Sequence, residues 1–129
     1  MLAVGISCPV FPSEDPEKVR RAVLNIFPDT DLILSDGAMC GESDNIEHFG
    51  AQIRRQRILD SVRSMLVKGR RGESSVLNLN KQAAYAGKIS FVEERTILGT
   101  IKVTLRSDDI TAFIESLAPQ TVDGEEVLI

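Results

Sequence analysis

Two stretches of alternation, one near each end of the chain, do most to set what it can become. Leu2, Val4, Ile6, Cys8 and Val10 alternate with Ala3, Gly5, Ser7 and Pro9, and Ile101, Val103 and Leu105 alternate with Lys102, Thr104 and Arg106. Successive side chains of a strand point to opposite faces, so each stretch predicts a strand with one apolar face buried and one face open. Such strands need cover on one side only, and the chain between them must supply it.

That intervening chain carries helix and turn signals. Asp15 followed by Pro16 predicts an N-cap and a first helical residue, and Val19, Val23, Ile26 and Phe27 form the apolar stripe that Pro28 ends. Asp36-Gly37, flanked by residues 32–35 and 38–42, predicts a β-hairpin, because both central residues tolerate positive φ. Residues 43–68 read as helical, with Ser43 as the cap, yet the apolar face moves. Ile46, Phe49 and Ile53 share one side, whereas Ile58, Leu59, Val62, Met65 and Leu66 share another, so a break near Arg54, Arg55 and Gln56 is expected.

Gly69 and Gly72 then close that segment around Arg70 and Arg71. Leu77 and Leu79 suggest a short strand that leads into one turn of helix at residues 81–87, and Ile89 and Phe91 mark a further strand before a loop at residues 93–99. Ser107 is read as the cap of a last helix with the stripe Ile110, Phe113, Ile114 and Leu117, ended by Pro119. Asp123-Gly124 predicts a turn into residues 127–129, a candidate edge strand. This order does not alternate as parallel α/β folds require. The expectation is one α+β domain over residues 1–129, an antiparallel or mixed sheet with helices packed on one face.

Several chemistries lack their parts. His48 is the only histidine, and no serine or cysteine near it has the setting of an activated nucleophile. Gly69-Arg70-Arg71-Gly72 lacks the spacing of a phosphate-cradling loop. Glu93-Glu94, Asp108-Asp109 and Glu125-Glu126 read as solvated charge or helix-dipole complement. Cys8 and Cys40 show no close metal-ligand spacing and are read as buried, reduced thiols. No catalytic residue, metal or cofactor is therefore expected. With no apolar run of about eighteen residues and no signal-peptide pattern in residues 1–11, a cytoplasmic protein is expected.

Charge is distributed unevenly. Residues 1–47 hold three basic and nine acidic side chains, residues 48–106 twelve and four, and residues 107–129 none and six. Clustered charge, more than net charge, makes an electrostatic footprint. One basic group, Arg54, Arg55, Arg57, Arg63, Lys68, Arg70 and Arg71, belongs to the helical middle and its exit. Within it Arg55 lines up with Ala51, Ile58 and Val62 on the apolar side, which predicts a buried ion pair. The other group is Lys102 and Arg106 with Lys88, Thr104, Ser90, Asn78 and Asn80. Alternation sets these opposite the buried face, as an open, positive surface with no acid in it and no aromatic ring for stacking bases.

Several runs carry a resemblance. Pro12-Ser13-Glu14-Asp15-Pro16-Glu17-Lys18-Val19, Arg57-Ile58-Leu59-Asp60, Leu79-Asn80-Lys81-Gln82-Ala83-Ala84, Gly87-Lys88-Ile89 and Leu117-Ala118-Pro119 resemble an uncharacterised archaeal protein family, number 0201 of the uncharacterised series. The resemblance implies a fold similar to the ribosomal protein that binds five-S RNA, a relation to a predicted exosome-subunit family, and an RNA partner. It implies no catalytic residue, and it makes Asn80, Lys81 and Gln82 the polar signature, with Arg57 ahead of the Ile-Leu-Asp piece. The resulting expectation is a non-enzymatic protein that contacts RNA or ribonucleoprotein phosphates through Arg54, Arg57, Arg63, Arg70, Arg71, Asn80, Lys81, Gln82, Lys88, Lys102 and Arg106. The alternative is a homo-oligomeric interaction module in which acidic ends meet the basic middle of a neighbour.

Overall fold

A computed structural model describes residues 2–92 and 99–119 and the backbone of 121–122 and 125–126. The elements run β1 (Leu2–Pro9), α1 (Pro16–Ile26), β2 (Asp31–Ser35), β3 (Ala38–Ser43), α2 (Glu47–Arg55), α3 (Leu59–Lys68), β4 (Arg70–Arg71), β5 (Ser74–Asn80), α4 (Lys81–Tyr85), β6 (Thr100–Ser107) and α5 (Ile110–Leu117), with a hairpin of β7 (Thr121–Val122) and β8 (Glu125–Glu126). Six strands form one sheet in the order β2-β3-β1-β6-β5-β4, and every pairing in it is antiparallel. The two alternating stretches are neighbours at its centre. Val4, Ile6 and Cys8 of β1 and Ile101, Val103 and Leu105 of β6 are buried on one face, beside Leu77 and Leu79 of β5 and Met39 of β3. The helices cover that face with Val23, Ile26, Phe49, Ile53, Val62, Leu66 and Ile114, and Phe27 stacks on Phe49 at 5.3 Å between ring centroids. This is the expected α+β fold.

Local signals act where the sequence places them. Asp15 accepts a hydrogen bond from Glu17 N at the start of α1, and Asp36 and Gly37 take φ of 52° and 77° in the hairpin turn. The long helical stretch breaks at residues 56–58, where Arg57 adopts φ of 58°. The Gln56 side chain fixes that break by acting as a strand would. Its Oε1 accepts from Ile89 N at 2.9 Å and its Nε2 donates to Ile89 O at 3.0 Å, while Gln52 Nε2 donates to Gly87 O and to Gln56 Oε1. Beyond α3, a side chain at Gly69 would collide with the Val76 carbonyl, so only glycine lets the helix end pass this close to β5. Ser75, polar yet buried on the apolar face, donates to Leu66 O at 2.6 Å and satisfies a carbonyl of the last turn of α3.

Other expectations change. Arg55 is exposed, with no place in the core. The break ends the straight helix that had aligned it with Ile58 and Val62, and in α2 it lies about 200° around the axis from buried Ile53. The α2 cap is Ile46 rather than Ser43, with Asn45 Oδ1 accepting from Glu47 N, because β3 extends through Ser43. Asp109, not Ser107, caps α5, since β6 extends through Ser107. Phe91 makes one isolated bridge, to Leu79, and starts no strand. Most of the expected 93–99 loop, and the turn at Asp123-Gly124 with residues 127–129, lie outside the described residues.

Gln56→Leu should lower stability by about 2 kcal/mol, because it leaves both Ile89 backbone groups without their partner. Arg55→Ala should stay within about 0.5 kcal/mol. Urea unfolding midpoints of the two variants measure both.

Candidate functional site

The side of the sheet away from the helices is open, and strand register fixes what stands where. One row across it reads Ile33, Cys40, Ser7, Lys102, Asn78 from β2 to β5. The next reads Asp31, Glu42, Gly5, Thr104, Val76, and a third reads Ala3, Arg106, Ser74, Arg71 from β1 to β4. Lys102, Arg106, Arg71, Glu42, Asp31 and Ile33 are all exposed. A shallow concavity of about 640 Å³ lies over the middle of this face, lined by Gly5, Ser7, Cys40, Glu42, Lys102 and Thr104 among others. The expected cationic, hydrogen-bonding surface is therefore half of the face. The expectation of no acid is corrected, because Cys40 and Glu42 of β3 share the outward alternation and bring Glu42 and Asp31 onto the other half. That signal was in the sequence, since the Asp36-Gly37 turn fixes the register of β2 on β3.

The remaining basic candidates divide by what holds them. Arg54 donates to Gly50 O and Ser116 O, and Arg63 donates to Ala118 O and pairs with Glu115, so both tie helices together on the far side of the sheet from Lys102. The Arg63 guanidinium holds the Glu115 carboxyl below its ordinary range. Arg57 is exposed at the helix break, Lys88 is exposed just past Gly87, and Gln82 is exposed on α4. Arg70 is exposed on β4, with the opposite alternation to Arg71. Asn80 caps α4 by accepting from Ala83 N at 2.9 Å.

Lys81, expected on a binding surface, points inward. It is 7% exposed, pairs with Glu14 at 2.9 Å, donates to Pro9 O at 2.5 Å and lies 5.2 Å from the centroid of the Phe11 ring. Glu14 also accepts from Phe11 N. The reason is geometric, as the Asn80 cap starts α4 at once and turns its first side chain toward the end of β1. A partner 67 residues away leaves no local trace in sequence.

The two cysteines separate in the same manner. Cys8 is buried and Cys40 exposed, which corrects the expectation of two buried thiols, and both are free. Cys8 is paired in register with Met39 and Cys40 with Ser7, so they occupy opposite faces. Burial pushes the Cys8 thiol up to about 11, against the smaller opposing effect of Lys81. His48 is exposed, with Nε2 3.1 Å from Asn25 O, and among the described residues no cluster of metal-ligating side chains occurs. No helix among the described residues is long and apolar enough to cross a membrane.

An antiparallel sheet with helices on one side and an open, partly cationic face on the other has counterparts among known proteins. A family model described as RNA binding matches residues 3–107. A UPF0200/UPF0201 protein of Archaeoglobus fulgidus is 39% identical over 127 residues, which is 96% of this chain and 39% of that protein's length. A UPF0201 protein of Thermococcus onnurineus is 38% identical over 128 residues, 94% of each chain. The solved structure of a UPF0201 protein from Methanococcus jannaschii superposes with a TM-score of 0.90 at 36% identity, covering 98% of this chain and 99% of that one. The chain belongs to the UPF0201 family of archaeal proteins.

Two outcomes follow for single side chains. Lys81→Met, which leaves the mostly buried Glu14 carboxylate with the Phe11 N–H but without its cation, should destabilise by about 3 kcal/mol in denaturant titration. Iodoacetamide at pH 8 should label Cys40 in the native protein and leave Cys8 unmodified, because the raised Cys8 pKa and its burial withhold the thiolate; mass spectrometry of the labelled peptides reads this.

Proposed function

We propose that residues 1–129 act as one non-enzymatic, cytoplasmic RNA-associated domain that contacts phosphates through the cationic half of the open sheet face. The observation that carries this reading is the gathering of Lys102, Arg106 and Arg71 on one solvent-facing surface, among the Ser74, Asn78 and Thr104 side chains. Guanidinium and ammonium groups beside amide and hydroxyl donors suit phosphate oxygens. The match to a family described as RNA binding supports the same reading.

The outward positions identified on β1, β3, β5 and β6 carry no aromatic ring, so the proposed mode grips backbone rather than stacking bases. RNA or ribonucleoprotein with a structured backbone fits this better than a sequence-read single strand. The acidic half would confine the backbone to the β6-β5-β4 side and set its direction of approach. Arg70, Lys88, Arg57 and Gln82 extend the proposed contacts only where an RNA wraps past the rim. Arg54, Arg63 and Lys81 act in this reading as internal ties.

Filter binding to total cellular RNA over a salt series tests it. Three phosphate contacts give a slope of log affinity against log salt of about −2 to −3. Lys102→Glu with Arg106→Glu should weaken binding of all sequences alike and flatten that slope, while Arg54→Ala should leave the slope unchanged. Binding that ignores salt, or that survives the double reversal, would refute the proposal.

A further inference from the structure

We infer that the open sheet face seats a second copy of this chain, the two sheets stacked face to face about a two-fold axis that runs along β1. The face is polarised across its strands. Glu42 and Asp31 stand on β3 and β2 to one side of β1, and Lys102, Arg106 and Arg71 stand on β6 and β4 to the other. Among the described residues no ion pair engages Glu42, Asp31, Lys102 or Arg106 within the chain.

A stacked pair with two-fold symmetry has its axis in the plane between the sheets, and two settings of it are simple. An axis across the strands would lay acid over acid and base over base. An axis along β1 exchanges the two sides and keeps each residue at its own level along the strands. Glu42, level with Thr104, then falls over Thr104 of the second copy, between that copy's Lys102 and Arg106. Each Glu42 gains two cations, and the symmetry supplies the same contacts twice. The face is self-complementary in charge for one arrangement and self-repelling for the other.

Shape agrees. β1, on the axis, presents Ala3, Gly5 and Ser7 outward, with Pro9 at its end, and a Cβ at Gly5 would meet nothing nearer than 3.9 Å. Two such faces can approach to the spacing of about 10 Å at which sheets stack. Ile33, 68% exposed and the largest apolar group identified on the face, would be covered by β5 of the second copy, where Val76 and Asn78 stand. Strands about 4.8 Å apart and some 20 Å long give a footprint on the order of 500 Å² per chain, or about 1,000 Å² for the pair. That is the low end for a specific interface, so the pair should be reversible and concentration-dependent. It would also occupy Lys102 and Arg106, so a second copy and a phosphate backbone would exclude one another.

Sedimentation equilibrium on RNA-free protein, over a concentration series at low and high salt, tests the pairing without reference to RNA affinity. Wild type should move from one chain to two with concentration and return to one with added salt. Glu42→Lys alone, and Lys102→Glu with Arg106→Glu alone, should each weaken self-association by roughly a hundredfold or more, since like charges then face each other. An equimolar mixture of these variants should recover a mass of two chains, because each restores the other's complement; circular dichroism confirms that both are folded. A mixture that stays monomeric, a wild type that is monomeric throughout, or variants that associate as wild type does would each overturn the inference. Filter binding of the Glu42→Lys variant to RNA is the separate readout, with tighter binding expected from the phosphate-contact reading, so failure of one proposal is visible apart from failure of the other.

Discussion

One-sided burial of the β1–β6 pair is the constraint on which the rest of the molecule depends. Val4 and Ile6 lie in register with Leu105 and Val103, and slipping either strand by one residue would turn the apolar set of both strands to solvent. With the register pinned, β3 and β5 must add on either side with Met39, Leu77 and Leu79 facing the same way, and the helices have a single surface to cover. The outward residues are fixed by the same stroke. The open face is therefore a direct product of the hydrophobic pattern, and its polarity follows from which segments supply the strands: acid-rich residues 1–47 give β1 to β3, and base-rich residues 48–106 give β4 to β6.

The lysine of the Asn80-Lys81-Gln82 run shows how a polar signature can serve architecture. Taking an ammonium group out of water costs several kcal/mol unless partners replace its hydration. Here Glu14, the Pro9 carbonyl and the Phe11 ring do so together, and they join the exit of β1 and the approach to α1 with the start of α4. Asn25 completes the link from the other end, donating to Ala84 O and Tyr85 O. A five-residue helix that could not persist alone is held in this way against α1.

Legibility in the sequence followed the range of the interaction. The Asp36-Gly37 hairpin and the Asp15-Pro16 helix start were readable, because each is decided by residues within a turn or two; a break near Arg54, Arg55 and Gln56 showed in the shift of the apolar face, although the Gln56–Ile89 bonds that fix it reach 33 residues along the chain. The caps of α2 and α5 were misplaced because Ser43 and Ser107 are good cap residues that a strand claims first, and only the sheet register shows that. The two-residue β4 has no period to detect. Arg55 was misassigned because its neighbours in the apolar stripe belong to the next helix, and Lys81 because Glu14 is distant in sequence. Of the candidate site, the outward set on β6 was legible from alternation alone. Its union with Arg71, and with the acids of β2 and β3, required the strand order, which no local pattern encodes.

The free edges of the sheet carry one more consequence. At one margin β4 is two residues long, and at the other β2 runs for five with apolar side chains on both sides, the kind of strand that recruits further strands. Arg20 reaches from α1 and donates to Leu32 O at 2.9 Å, occupying a carbonyl that a recruited strand would use. One guanidinium thus interrupts the row of edge groups against which a further strand would pair.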